Sequence, residues 1–114
     1  MAHPIRVLTV CLGNICRSPS AQGVLEKIIS DKGLTDQVVV DSAGTANYHC
    51  GSTPDRRATA AARARGIDLS AQRARQLQRE DFTRFDYILV MDSANLADVQ
   101  ALQPESSHAS VGYF

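Results

Sequence analysis

Cys11 opens a short segment, Cys11-Leu12-Gly13-Asn14-Ile15-Cys16-Arg17-Ser18, between a β-branched run and a helical pattern. A loop that joins a strand end to a helix N-terminus gathers backbone N–H groups around one point, and the helix dipole reinforces this anion cradle. Gly13 and Asn14 are residue types that tolerate unusual backbone angles. At the first position of such a loop, the thiolate of Cys11 would be favoured by the same field and serve as a nucleophile. Arg17, six positions on, carries a planar fork suited to two oxygens of a tetrahedral oxyanion. Ser18 adds a hydroxyl that can donate to the thiolate, or to the sulfur as it leaves. A bare Cys-x5-Arg spacing arises often by chance and equally fits a structural cysteine with a solvent-facing arginine. The strand before it, the proline-started helix after it and the Gly-Asn pair inside it favour the reactive reading.

The elements that must position this loop can be read from periodicity. Ile5–Val10 has the length and branching of a buried strand. Ala21, Val24, Leu25, Ile28 and Ile29 fall on one helical face. Ser18 is the expected N-cap, Pro19 the first helical residue and Gly33 the left-handed stop. A second strand is expected at Gln37–Val40, with Ser42-Ala43-Gly44-Thr45 turning the chain away. Pro54–Arg65 is rich in the helix formers Ala and Arg, and Gly66 ends it. Phe85–Met91 reads as a third buried strand, Ser93–Leu102 as a helix closed by Pro104, and Ala109–Phe114 as the start of a fourth strand. This alternation predicts a three-layer α/β fold, with helices flanking a parallel four-stranded sheet wound right-handed. Ligands of such sheets bind beyond the carboxyl ends of the strands, where the Cys11 loop would lie.

Composition narrows the function classes. The chain has 114 residues, 44% hydrophobic and 21% charged, as expected of one globular domain over residues 1–114. Twelve basic and twelve acidic residues balance, which disfavours nucleic acid or an anionic membrane as partner. No apolar run has the length of a membrane span, and the N-terminus lacks the features of a signal peptide. Three cysteines form no disulfide framework and point to a reducing, cytoplasmic setting. The charge is uneven: residues 56–84 hold eight arginines against three acids. That stretch is either a set of solvated helix faces or a field that draws in an anionic substrate.

CLGNICRSP, Cys11 to Pro19, resembles the phosphate-binding loop of the low-molecular-weight protein tyrosine phosphatases. Asp41-Ser42-Ala43-Gly44-Thr45 is similar to the family's DSAGT segment. Gly51 with Pro54-Asp55-Arg56 is similar to its G…PD-R stretch. Phe85-Asp86-Tyr87-Ile88-Leu89, Met91-Asp92 and Asn95 are similar to its third strand and following turn. The matches run in family order over essentially the whole chain. The resemblance implies a metal-independent phosphatase, without cofactor, acting on phosphotyrosine proteins or small aryl phosphates. Cys11 would attack phosphorus to give a cysteinyl-phosphate, Arg17 would stabilise the transition state, and Ser18 would assist the thiol. Leu12, Gly13, Asn14, Ile15, Cys16 and Arg17 would surround the phosphate. Asn14 would hold the loop's shape through Ser42. Tyr48 would form an aromatic wall for the substrate ring, unless it is a packing residue.

The family resemblance also implies an Asp-Pro loop whose aspartic acid protonates the leaving group, and a final helix over one sheet face. No Asp-Pro dipeptide occurs in this chain. The expectation is therefore a domain incomplete at its C-terminal side, with turnover weakened by about 10²–10⁴ and self-association through an uncovered sheet face. Asp92 would support the loop rather than replace the acid. Cys16 would either pair reversibly with Cys11 or simply fill space, and Cys50 would be a half-buried thiol. A zinc set from Cys11, Cys16, His49 and Cys50 is disfavoured by the adjacent Arg17. Thioredoxin-coupled arsenate reductases share the loop but need a later cysteine pair, and nothing after Cys50 is a cysteine. A Walker loop is excluded by the absence of its sequence. The remaining alternative is an oxyanion- or phosphotyrosine-binding module without productive turnover.

Overall fold

Buried branched residues at alternate positions build the sheet in this computed structural model, which describes residues 3–114. Four strands, β1 (Ile5–Cys11), β2 (Val38–Gly44), β3 (Tyr87–Val90) and β4 (Ser110–Tyr113), pair in parallel in the order β2-β1-β3-β4. Between them run α1 (Arg17–Asp31), α2 (Arg56–Ala64), the single turn α3 (Asp81–Arg84) and α4 (Ser93–Leu102). Leu8, Val10, Ile88 and Val90 from one sheet face join Phe82, Phe85 and Val99 in the main core. Thr9 and Ser42 lie on the other face, and Thr9 Oγ1 donates to the carbonyl of Ser18 at 2.9 Å, tying β1 to the first turn of α1. The outcome is the three-layer α/β architecture expected from the strand–helix alternation.

Several boundaries differ from expectation, each for a physical reason. The DSAG segment does not turn the chain away; it continues β2, because Leu8 to Cys11 offer a full ladder for Asp41 to Gly44. Gly44 is required at its end: a Cβ there would stand 2.7 Å from the Leu12 carbonyl oxygen. Helix α1 begins at Arg17, with Cys16 at its N-cap and no side-chain cap. Ser18 is thus buried within the first turn, its hydroxyl committed to the loop rather than to capping. Pro19 fits in that turn because the early N–H groups of a helix lack partners anyway. Gly33 does adopt the left-handed conformation beyond the end of α1, at φ 70°. The expected apolar face of α1 is only partly covered: Ala21 and Ile29 are buried, while Val24 and Ile28 are exposed. Gly23 is buried in their place, because α1 turns it toward Ile67 and Leu69. Asp55 caps α2 by accepting from the N–H groups of Arg57 and Ala58 at 3.0 and 3.1 Å. The extended ladder of β3 is four residues long, shorter than Phe85–Met91, and the turn α3 was not foreseen.

Candidate active site

The carboxyl ends of β1 and β2 and the N-terminus of α1 meet at the loop from Cys11 to Arg17. Among the described residues, no hydrogen bond within the protein uses the N–H groups of Leu12 through Cys16. Uncapped donors at a helix start, with the dipole behind them, favour an anion. The outer side of the loop is instead tied down. The carbonyls of Cys11 and Leu12 accept from Thr45 and Ala46 at 2.9 Å, and that of Ile15 from Asp55 N–H at 2.6 Å.

Asn14 is the keystone of the loop's shape. It is buried and, among the described residues, is the one non-glycine residue with a positive φ, 57°, a conformation that a short polar side chain tolerates. Its Nδ2 donates to Ser18 Oγ and to Ser42 Oγ, each at 2.9 Å. Its Oδ1 accepts from the Arg75 N–H at 2.9 Å. Ser18 Oγ stands 3.0 Å from the sulfur of Cys11, which is itself buried. Asn14 thereby fixes Ser18, and Ser18 addresses the thiol.

Arg17 and Asp92 form an ion pair at 2.8 Å on the same edge, between the starts of α1 and α4. The second oxygen of Asp92 accepts from the Asn95 N–H and caps α4. These bonds, first that from Asn95 and then that from Arg17, hold the Asp92 carboxyl below its ordinary value. A carboxylate so committed stays ionised and is unsuited to donate a proton.

The structure places Cys11, Asn14, Ser18 and Ser42 in one network, and Leu12, Gly13, Ile15 and Cys16 along the same loop. Tyr48 lies outside that network, and its side chain is largely open to solvent. Cys16 and Cys50 are exposed, so the expectation of a half-buried Cys50 is corrected: it lies in a solvent-facing turn over residues 48–51. Two neighbours of the loop had no such role expected from the sequence, where His49 entered only in the disfavoured zinc set. His49 lies against Gly13, whose Cβ would meet the imidazole at 3.0 Å. Arg75 bonds Asn14 through its backbone, and its guanidinium grips the fully buried Asp81 with two bonds of 3.0 and 3.1 Å and Asp41 at 3.2 Å. Burial opposes the Arg75 charge, but the bonds and charge of Asp81, then of Asp41, more than offset this and raise its pKa. Backbone contacts leave no side-chain signature, and a lone Arg in an Arg-rich stretch does not stand out.

The family model described as low molecular weight phosphotyrosine protein phosphatase matches residues 6–113, which include the whole loop and its supports. The chain belongs to that family. It is 48% identical over 93 residues to a low molecular weight phosphotyrosine protein phosphatase of Sus scrofa, covering 82% of this chain and 58% of the relative. A protein named as a putative low molecular weight protein-tyrosine-phosphatase from Synechocystis is 45% identical, covering 91% of this chain and 66% of the relative. The chain thus spans about three fifths to two thirds of the length of these relatives. The structure of a protein tyrosine phosphatase from Entamoeba histolytica, described as a product-state mimic, superposes with a TM-score of 0.91 at 38% identity. That match covers 96% of this chain and 69% of the other. The loop from Cys11 to Arg17 thus lies within the residues that the family model matches.

Proposed function

We propose that this chain carries the phosphate-transfer chemistry of a protein tyrosine phosphatase, hydrolysing phosphotyrosine or aryl phosphate monoesters. The observation that carries this reading is the 3.0 Å contact of Ser18 Oγ with the buried Cys11 sulfur, inside a loop of unpaired N–H groups. The thiolate attacks phosphorus, the P–S bond forms as the P–O(aryl) bond breaks, and the leaving oxygen departs as phenolate or takes a proton from solvent water. Water then attacks phosphorus, the sulfur departs as thiolate stabilised by Ser18, and phosphate is released. Arg17 and the loop N–H groups neutralise the charge on the equatorial oxygens. Both oxygens of Asp92 are occupied, so it supports Arg17 and α4 rather than protonating the leaving group. Turnover is expected to be faster for leaving groups that need no proton.

Rapid mixing with p-nitrophenyl phosphate, beside Cys11→Ser, tests this reading. A burst of p-nitrophenol that requires Cys11 is expected. Binding of phosphate or vanadate without any Cys11-dependent product would leave the oxyanion-binding module instead. The exposed thiols of Cys16 and Cys50 support a reducing compartment such as the cytoplasm. Exposed Tyr87, on the sheet face that α1 covers only at β1 and β2, supports self-association through the uncovered part of that face at β3 and β4.

A further inference from the structure

A cleft of about 400 Å³ runs along α2, lined by Thr53, Pro54, Arg56, Thr59, Arg63 and Ser70 among others. Arg56, Thr59 and Arg63 are spaced as one face of a helix, so two guanidiniums and a hydroxyl look into it in a row. The cleft begins beside the phosphate loop: Asp55, the residue after Pro54, donates its N–H to the Ile15 carbonyl at 2.6 Å.

The charge in this cleft is only partly offset. Neither Arg56 nor Arg63 forms an ion pair among the described residues. The two nearby carboxylates bond backbone N–H groups, and Asp68 feels the charge of Arg63 at a distance, after the bonds from Ser70. Asp55 accepts from the N–H groups of Arg57 and Ala58 as the cap of α2. Asp68 accepts from the Ser70 N–H at 2.8 Å.

We propose that this cleft is a docking groove for an acidic peptide segment that flanks the phosphorylated residue of the substrate. The proposal rests on the phosphatase reading and names the kind of substrate it takes. Arg56 and Arg63 are seven residues apart, about 10 Å along the helix. An extended peptide sends alternate side chains to one face, so side chains four positions apart share a face about 13 Å apart. Two acidic side chains four positions apart would thus each meet one guanidinium, the flexible arginine side chains taking up the remaining few ångströms.

The test uses Cys11→Ser, which retains the loop without turning over, and two fluorescent phosphotyrosine peptides. One peptide carries two Glu residues four positions apart beside the phosphotyrosine; the other carries Gln at both. Fluorescence anisotropy is expected to show the Glu peptide binding about threefold to tenfold tighter, the range two exposed ion pairs supply. The preference should vanish in Arg56→Gln/Arg63→Gln and shrink at high salt, while Arg84→Gln, outside the cleft, should retain it. Equal affinities, a preference that survives the double substitution, or no binding of either peptide would overturn the groove. Hydrolysis of p-nitrophenyl phosphate by the unsubstituted chain is read in parallel. Loss of Cys11-dependent product with the peptide preference intact would overturn the phosphatase reading alone.

Discussion

At the residue scale, the account turns on how a serine reaches a thiol. Ser18 Oγ is shared among Cys11, Asn14 and, at 3.4 Å, the Ala43 carbonyl, all away from water. Ser18→Ala removes the group that stabilises departing sulfur and leaves the Asn14 amide N–H2 with one acceptor fewer. It should lower stability by about 1–3 kcal/mol and slow breakdown of the cysteinyl-phosphate on the order of 10²-fold. Single-turnover kinetics separate that step from attack, and equal slowing of both steps would argue against a role at the leaving sulfur. Asp92 makes a second case. Asn retains the helix cap but not the charge that faces Arg17, whereas Ala loses both. Asp92→Asn should therefore lower the melting temperature at neutral pH only slightly and reduce phosphate affinity, while Asp92→Ala lowers the melting temperature further and reduces affinity too. The sign of the pH effect follows from its lowered carboxyl pKa. The stability that Asp92 contributes, first through the Asn95 N–H and then through Arg17, is fully present above the ordinary value of 3.8 and is lost as pH falls through the lowered one. Asp92→Asn should flatten that acid limb in a stability-against-pH series.

At the scale of elements, the loop is held as much by its neighbours as by its own residues. Gly44 ends β2 beneath it, and a Cβ would meet backbone atoms of Leu12, Gly13 and Asn14 at 2.7 to 3.1 Å. Backbone cannot step aside as a flexible side chain can, so Gly44→Ala should cost about 1–3 kcal/mol and abolish the Cys11-dependent burst. A folded variant with an unchanged burst would show that the loop tolerates displacement. Arg75 joins α3 to β2 and reaches the loop through Asn14. Asp81→Asn removes the buried partner of a half-exposed guanidinium and should destabilise the chain by about 3 kcal/mol, measured by denaturant unfolding. How much of this was legible depends on what each element writes into the sequence. The strands and the helix at 93–102 carry long, one-signed patterns and were readable. The Cys11 loop was readable because Cys, Asn, Arg and Ser each have a chemical reason to be there. The run of β2 through Ser42 to Gly44 was not, because Ser-Ala-Gly is turn-like locally and becomes strand only against the ladder of β1. The apolar stripe on α1 misled in part, since a 3.6-residue period shows which residues share a face but not what covers it.

At the scale of the molecule, the sheet gathers the reactive loop, the α4 cap and the first turn of α1 on one edge. Its amino edge holds a separate cleft of about 560 Å³, lined by Arg6, Asp86, Tyr87 and His108 among others. That cleft is at the wrong ends of the strands for the chemistry described. No helix of the described residues is long and apolar enough to cross a membrane. The arginines of residues 56–84 are exposed except for Arg75, which serves the loop, so the stretch divides between structure and surface field. Exposed Val24 and Ile28 on α1 give the molecule an apolar flank. Sedimentation at rising concentration should show association that Ile28→Lys suppresses, and unchanged monomer throughout would contradict that flank as an interface.

The most direct test of the central claim is the covalent intermediate itself. The chain is mixed with p-nitrophenyl phosphate, quenched in acid within milliseconds and examined by peptide mass spectrometry. A phosphoryl group on the Cys11 peptide, absent from Cys11→Ser and longer-lived in Ser18→Ala, is the predicted result. Product formed with no phosphoryl adduct on Cys11 at any quench time, in either the unsubstituted chain or Ser18→Ala, would contradict it.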